Sequence, residues 1–144
     1  MLASLLFVEE IKLFSRGTSL YPQGIAYVPI QYIDVFDAIR VIREAGGIPV
    51  LAHPGQFNNF EAVAGWAAAG LEGIEVKQPL HNEEYEMRAR GLAERYGLVQ
   101  TGGSDFHGFY GDSGAELGSK NIGMAHFEEL KKRKAQLGRK KEQV

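Results

Sequence analysis

Apolar residues alternate with polar and glycine-rich stretches from about residue 33 onward, and the pattern predicts helices and strands in turn. Phe36, Ile39 and Ile42 have the spacing of a helix, and Asp34 is placed to cap its first turn. Two glycines end this helix. The short apolar run Ile48–Ala52 that follows has the length of a buried strand.

The same alternation continues through the rest of the chain. We expect five further elements: a helix over about Glu61–Ala69, a strand over Gly73–Val76, a helix from an Asn82 cap to Tyr96, a strand over Leu98–Thr101, and a helix over Met124–Leu137 with Phe127 and Leu130 on its inner side. Strands separated by helices of this length are typical of an α/β fold with a parallel sheet. Three such units predict a small open sheet or a segment of a larger barrel.

The composition is that of a soluble globular protein, with 44% hydrophobic and 24% charged residues among 144. The formal net charge of -2 provides no global basic field for nucleic acid or anionic membrane. The chain has no cysteine, which excludes disulfides and thiolate metal sites and fits a cytoplasmic location. No apolar run approaches the roughly 20 residues that span a bilayer, so we expect no membrane partner.

Polar side chains with metal and acid–base chemistry follow each predicted strand. His53 ends the first strand, Glu75 lies in the second with His81 a few residues on, and Asp105 and His107 follow the third. Ligand sites in parallel α/β folds lie at the carboxyl ends of strands. We therefore expect these five residues on one side of the molecule.

Asp105 and His107 are two residues apart, so in an extended segment their side chains would point the same way while Phe106 points into the core. A carboxylate with an imidazole suits Mn, Fe or Zn. Alternatively, Asp105 bonds local amides in a turn and His107 is only exposed. His53 precedes Pro54, which favours an extended backbone at the strand tip. A hydrogen bond from its ring to a backbone carbonyl is the alternative.

Glu75 and His81 each allow more than one interpretation. A glutamate in an apolar strand is costly unless it is paired or bonded, so Glu75 would bind a metal, orient a ligand or bond a neighbouring loop. His81 precedes a predicted helix N-terminus, where anions are favoured, and would contact phosphate or protonate a leaving group. A solvated loop histidine is the alternative. The basic residues near the C-terminus are typical of a solvated helix end.

The elements Ala-Gly-Gly-Ile-Pro-Val-Leu-Ala-His-Pro-Gly, Gly-Ile-Glu-Val and Gly-Gly-Ser-Asp-Phe-His-Gly occur in this order. Together they resemble the PHP (polymerase and histidinol phosphatase) family of metal-dependent phosphoesterases. The likeness covers about residues 26–125. It is greatest to the branch of nucleoside 3′,5′-bisphosphate phosphatases and 5′-to-3′ exoribonucleases.

The resemblance implies the second half of a distorted seven-stranded β/α barrel with up to three divalent ions, Mn²⁺, Zn²⁺ or Fe²⁺. It maps His53, Asp105 and His107 onto metal ligands, and Asp105, His107 and His81 onto catalytic positions. Glu75 and His81 fall in the region that faces substrate. By the same resemblance, residues 1–25 are the tail of an inserted helical subdomain or an entry loop, and residues 26–144 form the C-terminal part of the barrel.

The chain departs from the family because it has no His-x-His motif, and its first histidine is His53. We therefore expect the metal site to be incomplete, the isolated chain to be a poor phosphoesterase, and the partner to be a missing N-terminal half. Open strand edges also predict self-association. The alternatives are a non-catalytic partial barrel that binds another molecule, and part of the PHP domain of a DNA polymerase or histidinol phosphatase.

Overall fold

A computed structural model describes residues 31–108 and 115–141. The elements, in chain order, are α1 (Val35–Glu44), β1 (Val50–Leu51), a 3-10 helix (Asn59–Ala62), α2 (Val63–Ala68), β2 (Gly73–Lys77), α3 (Glu83–Tyr96), β3 (Val99–Gly102) and α4 (Met124–Lys141). Residues 1–25, predicted to be the tail of an inserted helical subdomain or an entry loop, lie outside the described residues. No helix within the described ranges is long and apolar enough to cross a membrane.

The local signals for helix starts and ends are confirmed. The carboxylate of Asp34 accepts hydrogen bonds from the backbone N–H groups of Phe36 and Asp37 at the start of α1. Asn82 accepts in the same way from the N–H of Tyr85 at the start of α3. Gly97 ends α3 in the left-handed conformation, with φ of 62°.

The three strands form a parallel sheet in the order β1-β2-β3. A mixed α/β fold with parallel strands and flanking helices is therefore confirmed, while the half-barrel remains a prediction. The core lies where α3 and the α2 region pack on β2; its fully buried side chains are Ile39, Val63, Ile74, Val76 and Val99. Because β2 lies between the other two strands, residues at its ends are close to both neighbours.

Three predicted elements differ in detail. The strand predicted over Ile48–Ala52 pairs only at Val50–Leu51, since the chain turns immediately afterwards. The helix predicted from Glu61 begins as a 3-10 turn at Asn59. The prediction that Phe127 lies on the inner side of α4 was wrong, because the residue is 43% exposed. The half-buried side of α4 carries His126, Leu130, Arg133 and Leu137 instead, because the helix is rotated relative to the predicted face.

An ionic cluster lies at the amino end of the sheet. Glu72, just before β2, accepts hydrogen bonds from Arg43 at 2.5 Å and from Arg133 at 3.0 Å. Arg43 also donates to the carbonyl of Gly70, and Arg133 to the carbonyl of Gly97. One half-buried carboxylate thereby links α1, α4 and the residues that end two helices.

Candidate metal and phosphoester site

The residues predicted from the strand ends do converge at the carboxyl end of the sheet. His53 follows β1, Glu75 lies in β2, and Asp105 follows β3. The Nε2 atom of His53 lies 3.6 Å from Oε2 of Glu75 and 3.9 Å from Oδ1 of Asp105. Nδ1 of His107 lies 3.7 Å from the same Asp105 oxygen. Four of the five predicted residues thus form one continuous group.

The extended backbone that Pro54 predicts at His53 was wrong, because the structure has a turn at this position. His53 has φ of 46°, in the left-handed region, and its side chain is buried. Its backbone N–H donates to Oε2 of Glu75 at 3.0 Å. A hydrogen bond to a carboxylate from the next strand favours this turn, which residue preferences alone do not predict.

Asp105 also departs from the expected extended backbone, with φ of 50°. As a consequence Phe106 does not point into the core; its side chain is 43% exposed. Asp105 and His107 nevertheless stay close, because Nδ1 of His107 lies 2.8 Å from the Asp105 carbonyl oxygen. The residues come together through a tight turn rather than through the two-residue repeat of a strand.

His81 is buried, with only 5% of the residue exposed. Its Nδ1 lies 2.9 Å from the carbonyl oxygen of Val76, and its Nε2 accepts a hydrogen bond from the backbone N–H of Gly55 at 3.1 Å. Burial lowers the pKa of His81 below its ordinary value of 6.5, partly opposed by the bond to Val76. The structure does not place its ring with the group around Asp105, and the predicted contact with phosphate remains a prediction.

Negative charge accumulates next to His53. Burial raises the pKa of Glu75, the nearby Asp105 raises it further, and the hydrogen bond and charge of His53 lower it. Within the described parts of the chain no lysine or arginine contacts Glu75 or Asp105. A cation bound here would relieve repulsion between the two carboxylates.

Imidazole and carboxylate donors suit a Mn, Fe or Zn ion. Among the residues that the structure describes, however, no three histidine, aspartate or glutamate side chains are grouped so that they could hold a metal ion. Oε2 of Glu75 is already bonded to the N–H of His53, and Nδ1 of His107 lies on a backbone carbonyl. The donors therefore fit such an ion in kind, while the described residues do not bring three of them together around one point.

Sequence reasoning missed the close packing around Gly55. A Cβ atom at this position would lie 2.6 Å from Tyr85 and 2.8 Å from the ring of His81. The ring of Tyr85 meets that of His81 edge-on, with centroids 6.1 Å apart. The glycine after His53-Pro54 was the available signal, but it does not identify the side chains that press against it.

Comparisons with known proteins identify relatives that are named for acting on phosphate esters. The chain is 47% identical over 88 residues to a phosphoribosyl 1,2-cyclic phosphate 1,2-diphosphodiesterase from Eggerthella lenta, covering 61% of the chain and 34% of that protein. It is 35% identical over 104 residues to a 3′,5′-nucleoside bisphosphate phosphatase from Chromobacterium violaceum, covering 69% and 36%. The chain is a homologue of metal-dependent phosphoesterases.

A solved structure supports this relationship. A protein from Bifidobacterium adolescentis described as a metal-dependent phosphoesterase superposes with a TM-score of 0.65 and 29% identity, over 78% of this chain and 42% of that one. No protein-family model matches the chain. This phosphoesterase homologue spans about a third of the length of the two curated relatives. The predicted resemblance to PHP phosphoesterases is thus confirmed at the level of homology.

Proposed function

We propose that this chain forms the C-terminal part of a metal-dependent phosphoesterase that hydrolyses phosphate esters of nucleotides or short oligonucleotides. The observation that carries the proposal is the approach of His53, Glu75 and Asp105 at the carboxyl end of the parallel sheet. The names of the relatives support the phosphate-ester substrate.

In the proposed site His53, Asp105 and His107 hold one or more divalent ions, Mn²⁺, Zn²⁺ or Fe²⁺. Such an ion activates water and neutralises charge on phosphoryl oxygens. The role of this chain's residues is to hold the ion and to orient its ligands. Glu75 keeps the N–H of His53 engaged, which fixes the turn, and the Asp105 carboxylate lies between the two imidazoles.

The remaining ligands in this proposal come from an N-terminal half with a His-x-His motif. Its absence from the chain agrees with the lack of a group of three donors among the described side chains. On this view residues 26–144 are barrel and residues 1–25 belong to an inserted subdomain. The isolated chain then hydrolyses substrate poorly, because small misplacement of ligands is expensive in rate.

Restoring the missing half tests the proposal. The genomic reading frame upstream is expected to continue into a His-x-His motif. The chain joined to that segment, fused or in trans, is expected to release phosphate from a nucleoside 3′,5′-bisphosphate with Mn²⁺. Asp105→Ala should abolish the release, whereas His126→Ala, which changes a histidine on α4 outside the site, should not.

Two results would count against this function. Turnover by the 144-residue chain alone at about 1 per second or more would mean that its site is already complete. No hydrolysis by the restored protein would favour the alternative of a partial barrel that binds without catalysing.

Self-association of the isolated chain is part of the same proposal. In the described sheet β1 and β3 each have one neighbouring strand, and unpaired strand edges favour association with another chain. Light scattering should therefore detect species larger than 15.9 kDa as the concentration rises. Adding the N-terminal half should suppress them.

A further inference from the structure

The turn His53–Gly55 is attached to the neighbouring chain segment at two points. Glu75 in β2 accepts the backbone N–H of His53 at 3.0 Å. His81, in the loop after β2, accepts the backbone N–H of Gly55 at 3.1 Å. Pro54 between them has no N–H and is fully buried. Both N–H groups of the turn are thus bonded to side chains from one segment of the fold.

The ring of His81 is itself held in one orientation. Because Nε2 accepts from Gly55, the neutral ring carries its proton on Nδ1, which then donates to the carbonyl of Val76 at 2.9 Å. The ring of Tyr85 packs edge-on against it. A Cβ at position 55 would lie within 3 Å of both rings, which shows how closely the turn rests on them.

We propose that His81 is a positioning residue that holds His53 in its left-handed turn through the backbone of Gly55. Both ring nitrogens bond to backbone and the residue is 5% exposed, so the described contacts assign it support of the turn rather than contact with substrate. The inference rests on the proposed function only for the role of His53 as a metal ligand. Its structural part stands on the hydrogen bonds alone.

The test uses the ¹⁵N-labelled 144-residue chain and three variants. His81→Ala removes the acceptor for Gly55, and His81→Gln keeps a side-chain oxygen able to accept. His126→Ala is the control, since His126 pairs with Glu129 on α4. The measurements are the hydrogen-exchange rate of the Gly55 amide, the chemical shifts of His53, and broadening of the His53 signals during titration with Mn²⁺.

In His81→Ala we expect the Gly55 amide to exchange about 10-fold faster, as loss of one hydrogen bond allows. The His53 shifts should move, and Mn²⁺ should bind roughly 10-fold more weakly, as when the partner of a metal ligand is removed. His81→Gln should recover most of the Gly55 protection and of the affinity. The wild-type ring should show the tautomer with the proton on Nδ1.

A folded His81→Ala variant with wild-type Gly55 exchange and His53 shifts would overturn the inference and leave the proposed function intact. Absence of Mn²⁺ broadening at His53 after the N-terminal half is added to the labelled wild-type chain would instead count against the proposed function. The exchange rates and shifts would then decide the inference by themselves. If His81→Ala does not fold, His81→Phe decides, because it keeps a ring but cannot accept a hydrogen bond from Gly55: wild-type Gly55 exchange in that variant would contradict the proposal.

Discussion

One glutamate lies just before β2 and another in its middle, and their carboxylates have different partners. At the amino end the Glu72 carboxylate accepts hydrogen bonds from Arg43 and Arg133. Glu75, in the middle of β2, is in contact with the N–H and ring of His53, and Asp105 adds a second negative charge nearby. Two arginines neutralise Glu72, whereas among the described residues no lysine or arginine contacts Glu75, and we propose that a bound cation neutralises it.

We propose that this difference separates a stabilising cluster before β2 from a ligand-binding site at the carboxyl side of the sheet. The arginines at the amino end also bond the carbonyls of Gly70 and Gly97, so the cluster ties several elements together. The carboxyl end carries two left-handed residues, His53 and Asp105, and a raised pKa at Glu75. Left-handed residues and neighbouring carboxylates thus lie at the sheet edge where parallel α/β folds bind ligands.

The largest effect is expected from Asp105→Asn, which keeps the shape of the side chain and removes its charge. In the protein completed by its N-terminal half, kcat/KM should fall at least ~100-fold, because a proposed metal ligand is lost. The free energy of unfolding of the chain should stay the same or rise, since repulsion with Glu75 is relieved. Phosphate release and urea denaturation measure the two quantities. A marked loss of stability would show that Asp105 also stabilises the fold.

Glu72→Gln should have the opposite effect on the free energy of unfolding. Removing the charge that pairs with Arg43 and Arg133 should lower the free energy of unfolding by about 1–3 kcal/mol, a range reduced from that of a fully buried pair because the arginines are partly exposed. The control is Glu44→Gln, which breaks the exposed pair with Arg40 and should leave the urea midpoint close to that of the wild type. Equal urea midpoints for the two variants would show that the cluster does not stabilise the fold.

Two glycine substitutions test how tightly the functional end is packed. Gly55→Ala places a Cβ within 3 Å of the rings of His81 and Tyr85 and should cost about 1–3 kcal/mol. Gly91→Ala, on the exposed side of α3 with no heavy atom within 4 Å of the added Cβ, should instead stabilise by about 0.5–1 kcal/mol. Thermal unfolding of both variants measures the contrast. A neutral Gly55→Ala would show that the turn can move.

The smallest effect concerns pH. Burial lowers the folded-state pKa of His81 below 6.5, so below that pH the unfolded chain binds the proton more readily than the folded one. The contribution of His81 to the free energy of unfolding is fully present above pH 6.5. It is lost as the pH falls from 6.5 through the lowered pKa of the folded state. The stability difference between wild type and His81→Gln should shrink over that interval. A difference that is constant with pH would contradict the lowered pKa.

Much of the fold was predictable because its signals are local. The Asp34 and Asn82 caps depend on side chains bonding backbone two or three residues away. The strands were found from short apolar runs, and parallel pairing followed from their alternation with helices. The same reasoning placed His53, Glu75 and Asp105 at one edge, because carboxyl ends of parallel strands meet there.

By itself, then, the sequence determined the order of elements, the caps and the edge at which the polar residues meet, since each depends on residues near in the chain or on the direction of the strands. Only the tertiary structure decided how the side chains point. The left-handed turn at His53 and the bond of His81 to Gly55 depend on groups from other segments. The left-handed turn at Asp105 and the exposure of Phe106 did not follow from the sequence pattern either. Contacts between residues 22 or 26 positions apart leave no periodic pattern in a sequence, because packing alone brings their atoms together.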